Sequence, residues 1–183
     1  MRSTDLVRAA LVTAAAAALV TGCTSDTGGT GTGATTSAES EVSEIFNPCA
    51  GLSDQVLTDV GLDPATKTVV TDPPSGPSSW RVCGWQTPDE LVRVDVFSTS
   101  HTLDEARSNA DLVQKVETTV GQRQALQAYD KAETDGRSCY TSMEAEQGMF
   151  EVVAAWFEED GWTRDICEVS NEFATALDPH LPK

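Results

Sequence analysis

Histidine is nearly absent from this chain, and basic residues are scarce. Two His and 12 Lys+Arg stand beside 29 Asp+Glu in 183 residues, a formal net charge of −17. So acidic a chain has little with which to neutralise a run of phosphates, which argues against nucleic acid as a partner. Two His argue against a histidine-rich metal site. Neither G-x-S-x-G nor H-E-x-x-H occurs, so a hydrolase would have to be built without its usual sequence trace. No apolar run approaches the roughly 20 residues of a bilayer-spanning helix. The expectation is a non-enzyme with no cofactor and no bound metal. The length suits one ordinary domain with a tail better than several domains.

What is present begins with an address. Arg2 and Arg8 precede an apolar run of 12 residues, Ala9 to Val20, broken only by Thr13. A basic start, a short apolar stretch and a small-residue exit describe a secretory signal peptide. The exit, Val20-Thr21-Gly22-Cys23, resembles the bacterial lipobox, with Val20 where Leu is favoured. That resemblance implies cleavage after residue 22 and a diacylglyceryl group, with palmitate-type acylation, on Cys23. Two or more acyl chains give lasting membrane attachment where one gives marginal binding. The expected location is the outer face of the cell membrane.

Residues 23–44 read as the lipidated cysteine and a tether. Thr24 to Ser43 holds 6 Thr, 4 Ser and 4 Gly, with Val42 its one sizeable apolar residue. Such a stretch cannot offset its own ordering entropy and behaves as a coil spanning roughly 25 Å. Gly28 to Gly33 looks superficially like a nucleotide loop, but no Gly-Lys-Ser/Thr ending follows and no apolar strand precedes it.

Residues 45–183 form the expected single extracytoplasmic domain, large enough for a proper core. Two of the basic and five of the acidic residues lie before it, which leaves the domain at −14. Its four cysteines are Cys49, Cys83, Cys139 and Cys167. An even number in an exported chain indicates disulfides. Three pairings are open. Cys49–Cys83 with Cys139–Cys167 is preferred because each closes a local loop, a stabilisation of about 3–4 kcal/mol apiece on the chain-entropy model. No two of the four have C-x₂₋₄-C spacing, which argues against zinc.

The elements read in order. Ser53 caps a short helix bearing Leu52, Val56, Leu57 and Val60, and Gly61 stops it. Asp72 to Pro77 is a loop. Trp80–Gln86 and Leu91–Ser98 are strands, the second alternating Val92, Val94 and Val96 with Arg93 and Asp95. Thr102 and Glu105 form a capping box, and the helix behind it places Leu103, Ala106, Ala110 and Val113 on one face. Short strands are expected at Val116–Val120 and Ala125–Tyr129. Ser138–Ala145 and Met149–Phe157 flank a Gln147-Gly148 turn, the latter so continuously apolar that a central strand is expected. Arg164–Leu177 is a closing amphipathic helix. The expected order is α-β-β-α-β-β-β-β-α: an α+β antiparallel sheet with helices packed mainly on one face, and two disulfides.

Five stretches carry a family resemblance: Asn47-Pro48-Cys49-Ala50-Gly51-Leu52-Ser53, Arg81-Val82-Cys83-Gly84-Trp85, Gly121-Gln122-Arg123-Gln124-Ala125, Ser138-Cys139-Tyr140 and Asp165-Ile166-Cys167. In this order they resemble the actinobacterial lipoprotein family known as domain of unknown function 3558, over residues 45–183. Gln124 stands where Pro is expected. The resemblance implies a lipid-anchored envelope protein and brings no catalytic residues. The layout is similar to the PsbP-like fold, an analogy of fold alone.

Candidate chemistry is thin. His101 lies at a strand end beside the Thr102 cap, and His180 in a Pro-flanked tail; both read as surface residues. Glu158, Glu159 and Asp160 would suit Ca²⁺ in number but not in spacing, and read as a solvated turn. Trp85 and Trp156 fall inside strands and read as core. Trp80 and Trp162 border loops and are the candidate binding surface. Three function classes follow: an envelope binding module whose partner is basic, a carrier holding a lipophilic molecule among Val92, Val94, Val96 and residues 149–157, and an uncharacterised hydrolase. The acidity favours the basic partner.

Overall fold

The computed structural model describes residues 44–73, 78–133, 135–157 and 164–183. The chain divides into units 1–39 and 40–183, and every described residue belongs to the second. The expected leader, Cys23, nearly all of the expected tether, the Glu158–Asp160 cluster and Trp162 lie outside the described residues.

Two short helices open the domain, α1 (Pro48–Gly51) and α2 (Asp54–Asp59). The Asn47 side chain caps the first by accepting from the Cys49 N–H at 2.9 Å, and Ser53 caps the second through the Val56 N–H. Strands β1 (Asp63–Thr71), β2 (Trp80–Gln86) and β3 (Val92–Thr99) follow. Helix α3 (Leu103–Ser108) precedes β4 (Leu112–Val120), β5 (Arg123–Asp130), β6 (Ser138–Ala145) and β7 (Gly148–Trp156). Helix α4 (Ile166–Leu177) and a 3-10 turn at Asp178–His180 close the chain. The sheet runs β1-β2-β3-β7-β6-β5-β4, and every neighbouring pair is antiparallel.

The α+β antiparallel architecture is the expected one, and β7 is the middle strand of seven. Four details differ from the expectation. The domain opens on two short helices instead of one, and Leu52 caps the end of α1 instead of lying on the face of the helix that Ser53 caps. Strand β1 was not anticipated: it is an edge strand, exposed along most of its length, with irregular register to β2 and so no alternation to read. Helix α3 stops at Ser108, because the Asn109 side chain accepts from the Asp111 N–H at 2.9 Å and turns the chain. Leu112 and Val113 therefore belong to β4, which carries a register shift between Val113 and Val116 and a left-handed Gln114 at φ 52°.

The two sheet faces are covered unequally. Cys83, Trp85, Val92, Val94, Val96, Met143, Phe150, Val152 and Ala154 point to one face, against Leu52 and Leu57 from the opening helices and Ile166, Val169, Ala174 and Leu177 from α4. Trp85 and Trp156 are buried there, as expected. Val92, Val94, Val96, Phe150, Val152 and Ala154, which a lipophile carrier would use, are all buried in this core. Among the described residues the helix on the other face is α3, whose Leu103 and Ala106 pack on Leu126 and Met149.

Both expected disulfides form. Cys49–Cys83 fastens α1 to β2, and Cys139–Cys167 fastens α4 to β6. Polar contacts complete the α4 seam: Thr141 and Ser170 hydroxyls meet at 2.8 Å, and Ser170 donates to the Val152 carbonyl. At the β4–β5 turn, Arg123 donates to Asp178 at 2.6 Å, to the Glu144 carbonyl at 3.0 Å, and to the Leu181 and Pro182 carbonyls. Gly121 is left-handed at φ 58°, and a Cβ there would collide with the Asp178 carboxylate. Arg123 is thus the clamp that holds the C-terminal tail. Arg123→Ala strands a mostly buried Asp178 and is expected to cost about 3 kcal/mol in urea unfolding; a loss within about 0.5 kcal/mol would refute the clamp.

Candidate functional site

On the face covered by α3, a cleft of about 430 Å³ opens between that helix, the start of β4 and strands β5 to β7. Strand alternation sets its floor. Phe150, Val152 and Ala154 of β7 face the main core, so Met149 and Glu151 face the cleft. Glu151 lies opposite Phe97 on β3 and Ser142 on β6. Tyr140 of β6 and Asp130 at the end of β5 line the floor beside it.

The walls come from turns and caps. Trp80 opens β2 and meets Phe97 edge-on at 6.1 Å between ring centroids; His101 tilts against it at 5.3 Å. The His101 segment is fixed by the hairpin turn beneath it, since a Cβ on Gly148 would strike the carbonyl oxygens of Thr99 and His101. Glu105 completes the capping box of α3 and lies 3.4 Å from His101 Nδ1. Three ties hold α3 over the sheet: Arg107 pairs with Glu117 of β4 at 3.0 Å and donates to Gln124 of β5 at 3.2 Å, and Lys115 donates to the carbonyls of Arg107 and Asn109 at 2.7 and 2.6 Å.

The electrostatics are one-sided. Glu105, Asp111, Asp130 and Glu151 line the cleft, with no Lys or Arg among the lining residues. Burial pushes the Glu151 carboxyl above the usual range, opposed by the hydrogen bond that Ser142 donates at 2.8 Å and by His101. Glu105 is held below its ordinary value by the Thr102 backbone N–H, with His101 adding to the effect. Burial, reinforced by Asp130 and Glu151, raises the Tyr140 hydroxyl to about 12, so it remains protonated at neutral pH. Among the described residues, no group of three His, Cys, Asp or Glu side chains is placed to hold a metal ion. A second groove, about 620 Å³, borders the C-terminal tail, but its buried charges, Arg123 and Asp178, already pair with each other.

A family model described as protein of unknown function (DUF3558) matches residues 18–180. The chain belongs to the DUF3558 family. No curated protein and no solved structure matches it. The stretches that carried the DUF3558 resemblance are mostly framework. Asn47 donates to Asp72 at 3.0 Å, Arg81 pairs with the same carboxylate, and the cysteines form the two disulfides. Tyr140 is the member of those stretches that lines the cleft.

Of the candidate binding tryptophans, Trp80 forms a cleft wall, and Trp162 is not among the described residues. His101 is half exposed, as expected of a surface residue, yet lines the same cleft; His180 is exposed. Glu151 was missed. Its signal was there: a lone acidic residue inside Met149-Phe150-Glu151-Val152-Val153, otherwise all apolar.

The raised Glu151 carboxyl has a signed consequence. Between the ordinary glutamate value and the raised folded-state value, the folded protein holds a proton that the unfolded chain has lost. Glu151 therefore costs stability increasingly as pH rises through that window, and the full cost remains above it. Glu151→Gln carries no such cost. Its melting temperature relative to wild type is expected to climb as pH rises above the ordinary glutamate range of about 4.3. Circular-dichroism melts showing a pH-independent difference would contradict the assignment.

Proposed function

We propose that this DUF3558 protein is a lipid-anchored cell-envelope lipoprotein that acts as an extracytoplasmic binding module. The observation that carries the binding role is the cleft under α3. Its volume of about 430 Å³ falls in the range of small-molecule sites, and it combines an aromatic wall with convergent polar groups. The scaffold beneath it is a sheet fastened by two disulfides, and a fixed scaffold lowers the ordering cost of binding.

The envelope placement draws its support from the chain before the domain. A basic start, an apolar run too short to span, and Cys23 at a lipobox-like exit make a lipoprotein leader. Pairing of all four domain cysteines suits an oxidising compartment outside the cytoplasm. The tether of residues 23–44 then sets the domain off an anionic membrane surface that repels its −14 charge. In this reading the partners are the membrane, through the anchor, and a basic envelope component, through the cleft face. No catalytic step is assigned.

Cys23→Ser removes the sulfur that the acyl group needs. The variant is expected to leave the membrane pellet and appear in the soluble fraction or the medium, while wild type pellets. Retention of the variant in the pellet after a salt wash would overturn the anchor.

A further inference from the structure

Glu151 is 6% exposed, and a carboxylate this buried calls for a hydrogen-bonded or charged partner. It accepts one hydrogen bond, from Ser142, and no Lys or Arg pairs with it among the described residues. The arginine on the same face, Arg93, is committed to Asp95, with Nε and Nη2 donating at 2.9 and 2.7 Å. The remaining cleft side chain that can carry positive charge, His101, has its Nδ1 3.4 Å from Glu105 and acts on Glu151 only through space, with no hydrogen bond to it. Around Glu151 the lining adds Glu105, Asp111 and Asp130, all of one sign, and Tyr140, which stays neutral. Trp80 supplies an aromatic wall.

Each feature selects against other ligand classes. Anions meet four carboxylates. An uncharged lipophile fills the space but leaves the floor without a counter-charge. A bare divalent cation lacks a three-ligand set among the described residues. A cation with a carbon skeleton satisfies both halves of the site, since ammonium groups pair with carboxylates and favour the face of tryptophan.

We infer that the cleft under α3 binds an organic ammonium ion, its nitrogen seated at Glu151 and its carbon skeleton against Trp80. This rests on the proposed reading of the cleft as the binding site, and names the ligand class.

The test is isothermal calorimetry on full-length protein, exported so that both disulfides form. The probes are choline, benzylamine and cadaverine, with 3,3-dimethylbutan-1-ol as the uncharged isostere of choline. At least one ammonium probe is expected to saturate at millimolar concentration or below, and the neutral isostere is expected to bind at least tenfold more weakly than choline. Glu151→Gln is expected to weaken the binding ammonium probe about tenfold or more, and Trp80→Leu by severalfold. The second variant keeps the test intact if the first folds poorly. Equal binding of choline and its isostere, or unchanged affinity in Glu151→Gln, overturns the ammonium assignment and leaves the binding module standing. No binding by any of the four probes overturns the ammonium assignment too; the module reading then falls only if the protein isolated from its own envelope also carries no small molecule.

Discussion

Two covalent links decide how this sheet is dressed. Cys49–Cys83 fastens α1 to β2, and Cys139–Cys167 fastens α4 to β6, so helices are held to the same face in both halves of the sheet. Each closes a loop of roughly 30 residues, a constraint of about 3.5–4 kcal/mol on the unfolded chain. With the apolar residues of β2, β3, β6 and β7 buried beneath those helices, little helix is left for the other face. That face receives the six residues of α3, held by an exposed ion pair and by Lys115 against the helix end. Among the described residues, the cleft lies where the seven-stranded sheet is wider than α3.

A buried acid in the central strand follows from the same asymmetry. On the packed face of β7 every position is apolar, as close packing against α4 requires. On the opposite face the register sets Glu151 between Phe97 and Ser142, beside open space instead of a helix. A carboxylate there is unfavourable for folding and suited to recognition. Sites where local rules are broken are where function is expected to lie.

Much of this was legible in the sequence. Alternation of Val92, Val94 and Val96, the Thr102–Glu105 capping box and the apolar run of β7 located their elements, because each obeys one dominant period or cap. Loop locality was enough to choose the cysteine pairing. Strand β1 was hidden because an exposed edge strand has no buried face to stamp a period on it. The end of α3 was hidden because a three-residue Asx turn at Asn109 outweighs the apolar spacing of Ala110 and Val113. Trp80 announced itself as an aromatic beside a loop. Glu151 did not, because its meaning depends on which face of β7 the helices occupy, and that is settled by residues far along the chain.

The most direct test of the account is native mass spectrometry of the full-length protein taken from its own envelope, beside Glu151→Gln prepared in the same way. The account predicts a non-covalent adduct on wild type, of a mass and fragmentation that identify a nitrogen base, lost on mild acidification and missing from the variant. A wild-type spectrum with no non-covalent adduct, or an adduct retained unchanged by Glu151→Gln, would contradict it.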